Sequence, residues 1–228
     1  VTERTDAEIT LANRHYTESW LVEDAPLTAA RPRGSDLGAV PIGAGGGALL
    51  RFLAASIQAR AVVEIGTGAG VSGTWLLRGM HPEGVLTSID REPEHQRVAK
   101  QTFLAAGFAT SRFRLISGDA LEVLPRLTDG AYDIVFGDAS KEEYSSYLDE
   151  ALRLLRPGGI VAFDNALWHG QVPDPGARDP GTVAIRDLLR RVRDDDRLVP
   201  VLVPSGDGLL AAVLRDSRQT GATPAQPG

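Results

Sequence analysis

The chain has 228 residues, 43 % of them apolar and 24 % charged, as expected of a globular protein long enough to bury its own core. Twenty-four basic against 30 acidic residues leave a formal charge of −6, which argues against a nucleic-acid or anionic-membrane binder. Cysteine is absent, so disulfides, thiolate metal sites and cysteine nucleophiles are excluded.

No stretch approaches the roughly 20 apolar residues of a membrane span. Residues 1–10 lack the charged-then-apolar pattern of a signal peptide, so a cytoplasmic protein is expected. Residues 6–22 carry Ile9, Ala12, Tyr16, Ser19 and Trp20 near helical spacing and predict an amphipathic helix. Pro26, Pro32, Pro41 and the Gly-rich run at 43–47 predict a loop over 24–47, followed by a helix over 48–58. From residue 60 the pattern alternates. Short β-branched or apolar runs at 61–65, 85–89, 113–117, 132–137 and 159–163 predict strands. Helix-length segments at 71–80, 92–106, 120–127 and 142–155 lie between them, with Arg156-Pro157-Gly158-Gly159 closing the last. Such alternation means βαβ units and a parallel sheet covered on both faces. A helix at 182–193 precedes strands at 198–203 and 209–214. Only five residues, 204–208, lie between them, with SGDG at 205–208, which permits an antiparallel hairpin and excludes a parallel crossover. The expectation is one α/β domain over 1–215, a helical cap (1–58) on a core (59–215), with a disordered tail at 216–228.

The first strand runs into Gly66-Thr67-Gly68-Ala69-Gly70-Val71-Ser72-Gly73 and then a helix. Such glycines let the chain turn tightly and a ligand approach, and the helix start offers free N–H groups to an anion. About twenty residues on, Asp90 ends the second strand, where a carboxylate accepts hydrogen bonds from a ribose diol. Both features suit NAD and S-adenosylmethionine alike. Three observations favour the methyl donor: Glu64 would sit badly beside a pyrophosphate, Asp119 follows the third strand where a carboxylate meets an adenine amine, and the sheet closes with an antiparallel hairpin.

Asp138 ends the fourth predicted strand and Asp164-Asn165 end the fifth. Two carboxylates and an amide oxygen, with no Cys in the chain, select a hard cation such as Mg²⁺, Mn²⁺ or Ca²⁺. The bland alternative is an Asp-Asn turn. Lys141 starts the next helix, three residues past Asp138. Lysine occurs only here and at Lys100, against 22 arginines, and unlike arginine it can serve as a base. Trp168 is a candidate wall for a flat ring and His169 a candidate proton-transfer group. Val40, Trp20 and Tyr16 are candidates for the mouth, the loop at 170–181 for a lid, and Tyr144 and Tyr147 for helix packing.

The motifs EIGTGAGVS, SID, GDA, FGDASK, PGG, DNALWHG and GDGLL resemble the cation-dependent class I O-methyltransferases, the group of catechol and caffeoyl-coenzyme A O-methyltransferases and their bacterial relatives. The resemblance runs from about Val40 to Val213 and implies a Rossmann-like methyltransferase fold with a mostly parallel seven-stranded sheet. It implies Glu64, Gly66, Thr67 and Ser72 on the methionine moiety, with Ile42 as a backbone contact. It puts Asp90 on the ribose, Asp119 and Ala120 by the adenine, and Asp138, Asp164 and Asn165 on the metal, Asp138 also bordering the donor. Lys141 matches the base, and Val40, Trp168 and His169 are candidate substrate contacts. A phenolic substrate and a homodimer are implied too. Ser140, Gly137 and Leu189 depart from the usual pattern and bear on the substrate. An NAD-dependent oxidoreductase and a non-catalytic S-adenosylmethionine-binding protein are the rival readings.

Overall fold

A computed structural model of the chain describes residues 5–216, so all but the first residue of the predicted tail lies outside the described residues. Seven strands form one sheet in the order β3-β2-β1-β4-β5-β7-β6. They are β1 (Ala61–Ile65), β2 (Val85–Asp90), β3 (Phe113–Ser117), β4 (Tyr132–Gly137), β5 (Leu155–Phe163), β6 (Leu198–Val203) and β7 (Leu209–Leu214). The first five run parallel, and β7 pairs antiparallel with both β5 and β6, the latter as the short five-residue connection requires.

Successive residues of a strand face opposite sides of the sheet, and here both sides are dry. Val62, Leu86, Ile134 and Ile160 pack on one side, against α3 (Ala44–Ser56), α4 (Val71–Gly79) and α5 (Pro93–Ala105). Val63, Val135, Val161 and Phe163 pack on the other, against α6 (Ala120–Val123), α7 (Tyr144–Leu154) and α8 (Pro180–Asp194). Chain order reverses between β1 and β4, so the loops leaving these strands diverge and open a crevice.

The N-terminal region differs from expectation. The loop predicted over 24–47 holds a helix, α2 (Ala25–Asp36), and α3 begins at Ala44 rather than 48. Pro26 lies in the first turn of α2, where its missing N–H costs nothing, and Asp24 caps that turn through Leu27 N. Pro32 is tolerated inside α2 because Leu27, Ala30 and Gly34 are buried against the core. Glycines start α3 because its neighbours come close: a Cβ on Gly47 would lie 2.3 Å from Trp75 Cδ1 on α4. The first helix, α1 (Asp6–Ser19), ends earlier than predicted and is fastened through Glu18. That carboxylate accepts from Gly45 N (2.9 Å) at the start of α3 and from Gly206 N (2.7 Å) in the β6–β7 turn. Elsewhere α6 is four residues followed by a 3₁₀ turn at Leu124–Arg126, a 3₁₀ turn at Lys141–Glu143 precedes α7, and β5 starts at Leu155 with an irregular register against β4.

Candidate active site

The crevice is a cavity of about 490 Å³ at the carboxyl ends of β1, β2 and β4. The turn after β1 borders it, with Gly66, Gly68 and Gly70 at φ of 96°, 48° and 82°. At Gly66 the left-handed backbone and the packing both demand glycine, since a Cβ would lie 2.2 Å from the Asp138 carbonyl oxygen. Asp90 holds this turn. Its Oδ2 accepts from Thr67 N and Gly68 N, both at 3.0 Å, and its Oδ1 accepts from Glu92 N at 2.9 Å. Ile42, Thr67, Ser72, Ala120 and Asp138 also line the cavity.

Two predicted cofactor residues stand back from it. Glu64 is fully buried behind Ser72, whose hydroxyl donates to it at 2.6 Å, and it also accepts from Ser88 Oγ. Burial pushes its carboxyl up to about 7, against the lowering effect of the two hydroxyls. Asp119 caps α6 through Leu121 N at 2.8 Å and has Arg91 3.7 Å away, so its neighbours Gly118 and Ala120 supply the cavity wall. A capping job is available to any Asp before a helix, and spacing alone does not separate it from ligand contact.

The acidic end is built by β4 and β5. Gly137 and Phe163 are register partners, so Asp138 and Asp164 leave adjacent strands side by side. Asp164 is buried, and burial first, then repulsion from Asp138, raises its carboxyl to about 7. Lys141 Nζ donates to Asp138 Oδ1 at 2.7 Å and to the Tyr144 hydroxyl at 2.8 Å. That hydroxyl donates in turn to the Asp164 carbonyl oxygen at 3.0 Å. Burial holds the Tyr144 phenol far above its usual range, so it stays a donor. Tyr144 thus does more than pack: it braces Lys141. Its spacing from Tyr147 pointed only to a shared helix face. Asn165 adopts φ 57°, and its amide nitrogen lies 3.4 Å from Asp207 Oδ2 in the β6–β7 turn. Asp207 also accepts from His169 N at 2.7 Å. Nothing in the residue pattern had marked Asp207, because the contact spans 42 positions.

Trp168 and His169 line the cavity, both at left-handed φ, and Val40 lines it from the opposite strap. Tyr16 and Trp20 do not reach it: both are exposed, and Trp20 lines a separate groove with Phe52 and Val203. The 170–181 loop is fastened rather than free, since the Arg186 guanidinium donates to the carbonyls of Gln171, Val172, Asp174 and Ala177.

Among the described residues no three His, Cys, Asp or Glu side chains form a metal cluster. The donor set here is mixed, with two carboxylates and one amide. Its chemistry fits a hard cation, which would offset the repulsion between the two carboxylates.

This fold, with a glycine turn and an acid after β2 at its switch point, defines a Rossmann-like methyltransferase. A family model described as O-methyltransferase matches residues 16–215. A Mycolicibacterium vanbaalenii protein that carries the O-methyltransferase name is 52 % identical over 198 residues, 87 % of this chain and 88 % of that one. A solved Corynebacterium glutamicum protein superposes with a TM-score of 0.85 at 32 % identity, over 92 % of this chain and 98 % of its own. TomG, the Streptomyces achromogenes O-methyltransferase of tomaymycin synthesis solved with S-adenosylmethionine, gives 0.81 at 30 % identity over 93 % and 100 %. The chain belongs to the O-methyltransferase family and is an S-adenosylmethionine-dependent enzyme, which sets aside both rival readings.

Proposed function

We propose that the enzyme methylates one hydroxyl of a catechol-like or other vicinal-diol aromatic, with Mg²⁺, Mn²⁺ or Ca²⁺ held by Asp138, Asp164 and Asn165. The observation that carries this reading is that Asp138 and Asp164 leave adjacent strands side by side, with Lys141 on Asp138, and with Asp138 and Asn165 lining the cavity of the glycine turn. A hard divalent cation there supplies Lewis acidity toward nearby oxygens.

In this reading the methionine end of the donor lies along Ile42, Gly66, Thr67 and Ser72, with Glu64 acting through Ser72. Asp90 takes the ribose, and the Asp119–Ala120 segment flanks the adenine. Val40, Trp168 and His169 wall the substrate. Lys141, as the free amine, accepts the proton of the attacked hydroxyl. The resulting ammonium is held by Asp138 and the Tyr144 oxygen, the two partners that it has in the structure. The phenolate oxygen forms a bond to the methyl carbon while the carbon–sulfur bond breaks. Its electron pair stays on sulfur and leaves a neutral thioether. Positioning of donor and acceptor in one cavity supplies much of the rate. We place the reaction in the cytoplasm; among the described residues no helix is long and apolar enough to cross a membrane.

The test is product analysis with S-adenosylmethionine, Mg²⁺ and a panel of catechols beside their matching monophenols. Monomethyl ethers from the diols alone support the reading, and equal turnover of the monophenols removes the diol requirement.

A further inference from the structure

His95, near the start of α5, points into the cofactor cavity with a side chain only 15 % exposed. Its Nδ1 lies 3.1 Å from Asp90 Oδ2, and its Nε2 lies 3.3 Å from the Leu37 carbonyl oxygen. Both partners are acceptors. A neutral imidazole has one N–H and can satisfy one of them, whereas the imidazolium donates to both. The two partners belong to different parts of the cavity. Asp90 also orders the glycine turn through Thr67 N and Gly68 N. Leu37 ends α2, and the strap that follows it, residues 38–42, lines the cavity along its whole length.

We propose that His95 is a positioning residue for the methyl donor: its ring bridges the Asp90 carboxylate and the Leu37 carbonyl oxygen and so latches the 37–42 strap over the cavity. This rests on the reading that puts Asp90 on the ribose. Asp90 is the charged side chain in hydrogen-bond contact with the ring. Around it, Arg91 and Glu92 line the same cavity, Arg91 lying within reach of Asp119 and Glu143. Glu94 on α5 pairs with Arg97, and Asp36 precedes Leu37 at the end of α2.

The experiment measures adenosylhomocysteine affinity and dissociation rate for the full chain and for His95→Ala, His95→Gln and Asp90→Ala. His95→Ala should bind roughly ten- to a hundredfold more weakly and release faster, the size expected for a lost charge-assisted hydrogen bond. His95→Gln, which can still donate, should recover part of the affinity. In turnover, the KM for the donor should rise while kcat at saturating donor changes little. Equal affinity of His95→Ala and the parent overturns the proposal, and so does a KM for the donor that stays unchanged while kcat falls. Asp90→Ala separates the two ideas. If it too binds normally, the ribose assignment has failed; if it binds weakly while His95→Ala does not, only the latch has failed.

Discussion

Lys141 is where the chemistry of one residue decides the mechanism. Its amine sits between a carboxylate and a phenol oxygen, so either a fixed charge or a proton acceptor would fit the contacts. Lys141→Arg separates these roles, because guanidinium stays protonated at any working pH. Loss of a general base costs about 10²–10⁴ in rate, so kcat should fall by that order with adenosylhomocysteine affinity little changed. Lys141→Met runs beside it to control for the longer arginine. A near-normal kcat for Lys141→Arg at neutral pH would end the base assignment.

Glu64 offers a second single-residue test, on stability. Its carboxyl is raised to about 7 in the folded chain, against 4.5 for the ordinary group. Between these values the unfolded chain gives up the proton first, so rising pH favours unfolding. The contribution is fully present below the lower value and lost as pH passes through the upper one. The span is on the order of 3 kcal/mol. Glu64→Gln keeps an oxygen for the serine hydroxyls and cannot ionise. Its stability relative to the parent should therefore climb as pH passes from acid to above neutral. Urea midpoints of both proteins across that range check this, and parallel curves would show that the Glu64 carboxyl is not raised by folding.

Among the elements, the contact of α3 with α4 depends on Gly47. Alanine is the better helix former by up to about 1 kcal/mol. Its Cβ would collide with the ring of Trp75, which is almost fully buried and has no room to turn aside. Overpacking of this kind costs about 1–3 kcal/mol, so it wins. Gly47→Ala should lower the unfolding midpoint, and unchanged stability would mean that the two helices can part freely. The same scale shows what the sequence could and could not reveal. The closing hairpin was legible because a connection of five residues leaves one topology. The helix α2 was not, because Pro26 and Pro32 read as breakers. Asp24 followed by Pro26 is also a helix-start signal, and burial of Leu27, Ala30 and Gly34 decided between the two. Asp138, Lys141 and Asp164-Asn165 stood out because they follow strands. Tyr144, Asp207 and His95 did not, because their roles rest on where a hydroxyl, a turn and a ring meet partners distant in sequence.

For the whole molecule, the sheet divides the labour. The glycine turn and Asp90, where we propose the donor binds, are built on β1 and β2, and the acidic side on β4 and β5. Removing a cation from the acidic side should therefore leave donor binding largely intact while stopping the reaction. The resemblance also implies a homodimer, and we propose that two copies associate; the groove that exposes Trp20 and Phe52 is the apolar surface that supports it. The central claim is that methyl transfer depends on a divalent cation held by Asp138, Asp164 and Asn165. The most direct measurement is turnover of a catechol by enzyme stripped with EDTA and shown to be metal-free. Adenosylhomocysteine binding is measured on the same sample. Turnover should vanish, return on addition of Mg²⁺, and leave adenosylhomocysteine affinity largely unchanged throughout. Full activity in the metal-free enzyme would contradict the account.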